Sequence, residues 1–308
     1  FAEEELKREQ GVVIQEIGQA QDTPDDIVFD YFQNVAFPDQ PLGRPVLGTA
    51  KNVSSFTRDT LVSYMNQYYT PSDMVVAAAG NIDHEQLVSL TTKSFSSSIT
   101  KRDVANEKAR YVGGSDYRVR ELEQVHVLLG FNGLSYDDKD YYALQILSVL
   151  LGGGMSSRLF QKVREELGLA YSIYSFSSSY VDGGLFGIYA GTNPDSTSQL
   201  IETICGELLD ISDTISESET NRARAQLKSG LLMSLESTST RSEQMARQLL
   251  LFGSPLSNSE IIANIDAVDT SRLVTVARRL LKNGPPTLTA LGPTRNMPDY
   301  ELVKQKFG

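Results

Sequence analysis

Few side chains in this 308-residue chain are of types that do chemistry near neutral pH, and their spacing limits what they can do. The histidines are His84 and His126, and the one cysteine is Cys205. A lone cysteine makes no internal disulfide, and without a Cys/His cluster the chain has no self-contained structural zinc site. Glu9 and Glu16 lie in a stretch of helical spacing, and seven residues turn a helix through about 700°, so both carboxylates project from one face. On their own they read as solvated acids. Arg164 by itself reads as a surface arginine paired with a neighbouring glutamate, and Tyr171 as a ring packed on a sheet. His84, in Asp83-His-Glu-Gln, reads as exposed beside a helix cap, and His126, between Val125 and Val127, as a satisfied or interface histidine. Gly152-Gly-Gly-Met resembles a phosphate loop only weakly, because a helix precedes it and no Lys-Ser/Thr follows; it reads as a flexible turn at a cleft edge.

The elements that would carry these residues follow from periodicity and punctuation. Helical spacing runs from Glu3 to about Gln33, with Leu6, Val13 and Ile17 on one stripe and a break at Asp22-Thr-Pro-Asp, where Pro24 suits a new first turn. After a Pro/Gly loop, a capped amphipathic helix is expected at Thr57–Tyr68, then a short buried strand at Met74–Ala79 and a helix at His84–Lys93. Beyond residue 116 the pattern predicts a strand around Val125–Leu129, a helix over Asp137–Leu151 and another over Ser156–Glu166. Strands Ala170–Ser179 and Leu185–Gly191 are joined through Asp182-Gly-Gly, a hairpin signal. Helices fill Ser196–Lys282, and a strand Thr287–Leu291 closes the chain.

Composition narrows the function classes. Acidic residues number 39 against 28 basic ones, a net charge of −11, so a phosphate backbone is a poor partner and no nucleic-acid role is expected. The longest apolar run, Met74–Ala79, is far short of the roughly 20 residues that span a bilayer.

The chain also repeats itself. Val53–Tyr64 and Met74–Gly80 lie without gaps over Ile265–Val276 and Pro286–Gly292, an offset of 212 (265 − 53). Val53/Ile265, Leu61/Leu273, Val62/Val274, Ala78/Ala290 and Gly80/Gly292 agree in type within the same order of capped helix, turn and strand. Read as a duplication with a second copy starting near Tyr117, the pattern predicts that roughly 95 residues of the first copy are missing from this chain.

These residues meet a known family. Lys7-Arg-Glu-Gln-Gly-Val-Val-Ile-Gln-Glu-Ile17, Leu42-Gly-Arg-Pro-Val-Leu-Gly48, the stretch Tyr69–Gly80, and Leu151-Gly-Gly-Gly-Met-Ser-Ser-Arg-Leu-Phe160 running on through Arg164-Glu-Glu-Leu-Gly-Leu-Ala-Tyr171 resemble the M16 zinc metallopeptidases, above all the bacterial processing-peptidase-like members. The resemblance covers essentially the whole chain. It implies an α+β, sandwich-like fold of tandem duplicated LuxS/MPP-like domains, with mixed, mainly antiparallel sheets packed by helices. The expected division is 1–94 for the remainder of a zinc-bearing first domain, 95–116 for a linker and 117–308 for a complete second domain.

In that family zinc is held by His-x-x-Glu-His and a glutamate roughly 75 residues further on, the motif glutamate acting as general base. The motif is absent from this sequence, and the resemblance places the distal ligand at Glu16 with Glu9 as its supporting acid. Counting back puts the motif about 60 residues before Phe1, inside the segment that the repeat says is missing. Across the cleft the family uses an arginine and a tyrosine to bind substrate carbonyls and the tetrahedral intermediate, which map to Arg164 and Tyr171. The implied whole is a zinc metalloendopeptidase of peptides or presequence-like segments, of which this chain alone is an inactive fragment. The alternative is a non-catalytic subunit that binds substrate or scaffolds an active partner. Expected partners are a peptide substrate, the missing amino-terminal segment, and a second copy or an M16 partner subunit. The expected compartment is the bacterial cytoplasm, with the mitochondrial matrix or periplasm as alternatives.

Overall fold

The computed structural model describes residues 1–95 and 107–308, so residues 96–106 of the expected linker lie outside the described residues. Helices start where the sequence supplies caps. α1 (Glu3–Gln21) is followed by α2 (Pro24–Ala36), whose first turn accepts Pro24 because a proline there gives up no needed N–H. The Thr49 hydroxyl accepts the Asn52 N–H at the start of α3 (Ala50–Ser55), Thr57 and Thr60 cap α4 (Arg58–Tyr68) reciprocally, and Asp83 caps α5 (His84–Ser94). Then come β1 (Gly114–Val119), β2 (Val125–Asn132), α6 (Tyr141–Gly152), a π-helix (Phe160–Glu166), β3 (Ala170–Ser179) and β4 (Gly184–Thr192). The chain ends with α7 (Thr197–Thr214), α8 (Glu217–Ser234), α9 (Thr238–Phe252), α10 (Asn258–Asp266), α11 (Thr270–Lys282), β5 (Thr287–Gly292) and α12 (Tyr300–Gln305). α6 starts four residues later than Asp137, because Asp138 accepts the Asp140 N–H in a turn and both carboxylates pair with Arg279.

The chain falls into two compact units. One gathers Gly18–Val46, Glu107–Lys228 and Ile262–Gly308 around a five-stranded sheet in the order β1-β5-β2-β4-β3. β1 runs parallel to β5 and every other pair is antiparallel, so the sheet is mixed and mainly antiparallel. Alternation sorts its faces. Leu128, Tyr189, Phe176 and Leu291 join Val28, Phe32 and Phe37 from the α2 region in one core, while Ser175 and Ser177 on β3 meet Ser148 and Gln145 of α6 on the other face. Gly152, expected in a flexible turn, instead brings α6 hard against β3: a Cβ there would lie 2.3 Å from the Ser175 nitrogen. Only glycine permits that approach.

The other unit comprises Phe1–Ile17, the described part of Leu47–Asn106, and Ser229–Ile261. Here the expected buried strand at Met74–Ala79 does not form. The segment has no ladder partner among the described residues, and Met74 and Val76 are exposed. An apolar run becomes a buried strand only where neighbouring strands pair with it, and among the described residues this unit holds no strand beside it. α4 likewise buries none of its residues, whereas its counterpart α11 buries Leu273, Val276, Ala277, Leu280 and Leu281.

The repeat nevertheless extends well beyond the matching sequence. The order α1, α2, α3, α4, extended segment, Gly80 recurs as α8, α9, α10, α11, β5, Gly292. Gly80 and Gly292 share an unusual backbone, with φ of 135° and 137°. Gln10 on α1 donates to the carbonyl of Phe56, just ahead of the cap of α4, and Arg224 on α8 donates to the carbonyl of Val268, just ahead of the cap of α11. The compact units do not follow the order of the repeat: α2 packs in the sheet-bearing unit, whereas α9 belongs to the other.

Candidate functional site

Local irregularities set the positions of Arg164 and Tyr171, the two residues expected from the resemblance to meet substrate. The chain enters the π-helix through Gly153–Ser157, which side chains of α8 pin from outside: Gln226 donates to the Gly153 carbonyl at 2.6 Å and Arg222 to that of Ser156 at 3.2 Å. Arg158 forks onto Glu219 at 2.7 and 3.0 Å and onto the Thr214 hydroxyl and carbonyl at 2.7 and 2.8 Å. Burial pushes the Glu219 carboxyl up, but hydrogen bonds from Arg158 and from the Ser216 backbone and hydroxyl outweigh it and hold the group at about 2.

From that anchor the helix widens, with the Leu167 N–H reaching back five residues to the Lys162 carbonyl at 3.2 Å. π-Helical turns re-aim side chains and gather at functional positions. Gly168, at φ 61°, then turns the chain into β3. There a register shift between Ala170 and Ser172 leaves Tyr171 as the extra residue of a bulge, 74% exposed. A bulge turns one side chain out of the pleat. The two irregularities meet: the Arg164 guanidinium lies 4.4 Å from the Tyr171 ring centroid and 4.8 Å from that of Phe160. Stacking on ring faces holds the cation while leaving its in-plane N–H groups free to donate. Glu165, at 3.7 Å from Nε, is too far for a hydrogen bond and supplies only a weak ion pair. Phe160 escaped the sequence reading; its signal was the four-residue spacing to Arg164.

Glu9 and Glu16 are both on α1 and exposed, two helical turns apart on one face. Among the described residues no group of three His, Cys, Asp or Glu is placed to hold a metal. A zinc site draws three or four protein donors together, so the donor set here does not fit zinc by itself. His84 is exposed at the start of α5. His126 is half-buried with Nδ1 at 2.8 Å from the Tyr189 hydroxyl, so it is a satisfied strand histidine; burial lowers its pKa against an opposing pull from Asp25. Among the described residues, no helix is long and apolar enough to cross a membrane.

Residues 55–227 match the model of a family described as the Peptidase M16 inactive domain. An uncharacterized zinc protease of Rickettsia bellii is 40% identical over 298 residues, spanning 95% of this chain and 71% of the relative. A probable mitochondrial-processing peptidase subunit beta of Arabidopsis thaliana is 35% identical over 322 residues, spanning 99% of this chain and 60% of that protein. Among solved structures, a chain of complex III2 from Candida albicans, with Inz-5 bound, superposes with a TM-score of 0.88 at 20% identity, over 97% of this chain and 74% of that one. At that identity the match speaks to fold alone.

Proposed function

The chain belongs to the M16 peptidase family, and from that premise we infer that it is the substrate-holding portion of a zinc-dependent metalloendopeptidase and not a catalyst by itself. The observation that carries the reading is the Arg164 guanidinium stacked on Tyr171 and Phe160. Arg164 donates N–H groups to a peptide carbonyl and the Tyr171 hydroxyl donates a second hydrogen bond. Both bonds strengthen as negative charge builds on that oxygen, which is the differential binding that lowers a barrier. Stacking supplies the orientation in advance, so little is lost in freezing the arginine when substrate arrives.

Glu16 is the one ligand this chain offers to a zinc site whose other donors lie outside it, with Glu9 as its supporting acid. In this reading 1–94 is the remainder of a first domain, lacking roughly 95 residues by the repeat count, and 117–308 is a second domain. A net charge of −11 favours basic, presequence-like peptides as substrates.

A second reading, a non-catalytic M16 subunit that binds peptide or scaffolds an active partner, draws support from the family description, which is that of an inactive domain. One experiment serves both. The purified chain is incubated with a fluorescent basic peptide, with and without Zn²⁺, and binding and cleavage are recorded together. Binding without cleavage, weakened by Arg164→Gln, is expected. Zinc-dependent cleavage by the chain alone would refute the inactive assignment, and binding indifferent to Arg164→Gln would refute the assigned site.

A further inference from the structure

The glycine run Gly152-Gly-Gly holds neither a metal donor nor a substrate contact in this reading, yet the turn it opens is closely held. Four successive carbonyls, those of Gly153, Gly154, Met155 and Ser156, each accept a side-chain donor: Gln226 at 2.6 Å, the Ser157 hydroxyl at 2.6 Å, Gln161 at 2.6 Å and Arg222 at 3.2 Å. Turning any of these peptide planes breaks a hydrogen bond, so the run is a fixed joint. A Cβ on Gly154 would come within 3.0 Å of Gln226 Nε2, so a glycine there also lets α8 close in. Glu219, Arg222 and Gln226 are spaced by three and four residues, hence on one face of α8, and meet Arg158, Ser156 and Gly153 in turn. Beyond the joint the chain enters the π-helix that carries Phe160 and Arg164. All of these residues belong to the sheet-bearing unit.

We propose that Gln226, with Arg222 on the same face of α8, is a positioning residue for peptide capture: by holding the joint it fixes the direction in which the π-helix presents Arg164 to Tyr171 and to a peptide carbonyl. The proposal rests on the reading of Arg164 as the carbonyl-binding group and adds what orients it. A guanidinium donates within its own plane, and a hydrogen bond weakens steeply once donor and acceptor fall out of line. The joint stands at the start of the helix, so an error there grows along it. A tilt of about 10° at the joint moves a group about 10 Å further along by about 2 Å, enough to lose a directed hydrogen bond. Gln226 therefore acts on substrate through Arg164 and not by touching it.

The test reads the orientation of Arg164 separately from its use. Arginine side-chain Nε–H signals of the full chain are recorded by nuclear magnetic resonance, that of Arg164 being identified by its loss in Arg164→Gln; rings stacked on the guanidinium displace this signal, so it reports the stack. Gln226→Ala should shift it, and so should Gln226→Glu, which keeps the shape but offers only acceptors to the Gly153 carbonyl. In anisotropy titrations with the fluorescent basic peptide both variants should weaken binding about two- to tenfold, Gln226→Glu doing so even though its added charge attracts the peptide. In the Arg164→Gln background neither should weaken binding further, because the two residues act in series. An Arg164 signal that neither variant moves, an affinity that Gln226→Ala leaves intact while Arg164→Gln lowers it, or equal weakening in both backgrounds would each overturn the proposal. A shifted Arg164 signal with binding indifferent to Arg164→Gln would leave the positioning of Arg164 standing and overturn the substrate-holding reading instead.

Discussion

The clamp between Arg158 and Glu219 lets the stability of the candidate site be read through pH. Their side chains are 14% and 18% exposed, and Arg158 also ties down Thr214, so the fork joins the entry of the π-helix to the corner between α7 and α8. Glu219 is ordinarily a group of pKa 4.5 and is held at about 2 in the folded chain. A depressed carboxyl stabilises fully above its unfolded value, and that contribution fades as pH falls through the folded one. The whole shift would correspond to about 3 kcal/mol, and allowing for the solvent that reaches the pair brings it to about 1–2 kcal/mol. Glu219→Gln should therefore lower the stability of the sheet-bearing unit by about 1–2 kcal/mol at pH 7, and Arg158→Ala, which strands the carboxylate, by about 2–3 kcal/mol. The chain has no tryptophan, so urea unfolding is followed by far-ultraviolet circular dichroism, with hydrogen exchange of β4 reporting on this unit. The gap between wild type and Glu219→Gln should close between about pH 5 and pH 2. A gap that is absent at pH 7, or that stays constant on acidification, would refute the reasoning.

Other outcomes follow from the same geometry. Phe160→Leu removes one stacking face from Arg164 and should weaken binding of a basic peptide about two- to fivefold without changing stability by more than about 0.5 kcal/mol, whereas Tyr171→Phe keeps the stack and loses only the hydroxyl donor; anisotropy titrations separate the two. Gly152→Ala drives a Cβ into the β3 backbone and should cost about 2 kcal/mol or more, visible as a lowered unfolding midpoint. His126 should titrate below its ordinary 6.5 by nuclear magnetic resonance, because burial disfavours its charge; as the unfolded chain then binds the proton more readily, stability falls as pH drops below 6.5. A His126 titration at or above that value would contradict its packing against Tyr189.

Much of this architecture was legible because local chemistry fixed it. Pro24, Thr57, Asp83 and the Asp182-Gly-Gly turn sit where elements begin or reverse, and alternation marked β2. Met74–Ala79 was misread because an apolar run records what a segment can bury, while its state depends on strands elsewhere in the sequence. The π-helix and the Tyr171 bulge left no trace in periodicity, since each shifts a hydrogen-bond register by a residue through tertiary packing. Arg164 and Tyr171 could be named from their motif, but their contact, and the part played by Phe160, needed both irregularities at once.

The gathering of distant stretches of chain into the sheet-bearing unit sets a timetable for synthesis. α2 ends at Ala36 and packs beside β5, which starts at Thr287, so the ribosome adds 250 residues (37–286) between finishing a helix and starting the strand it rests on. At translation speeds of about 5–20 residues per second, Ile27, Val28 and Phe32 wait roughly 10–50 s before their whole core exists. The earliest part of the sheet-bearing unit to be made is thus among the last to be sheltered. A nascent chain paused or shortened before Thr287 would have β1 and β2 to set against α2 but would lack β5 between them, leaving part of that apolar helix open, and the yield of folded protein should respond to chaperones that act on the growing chain more than to those that act after release.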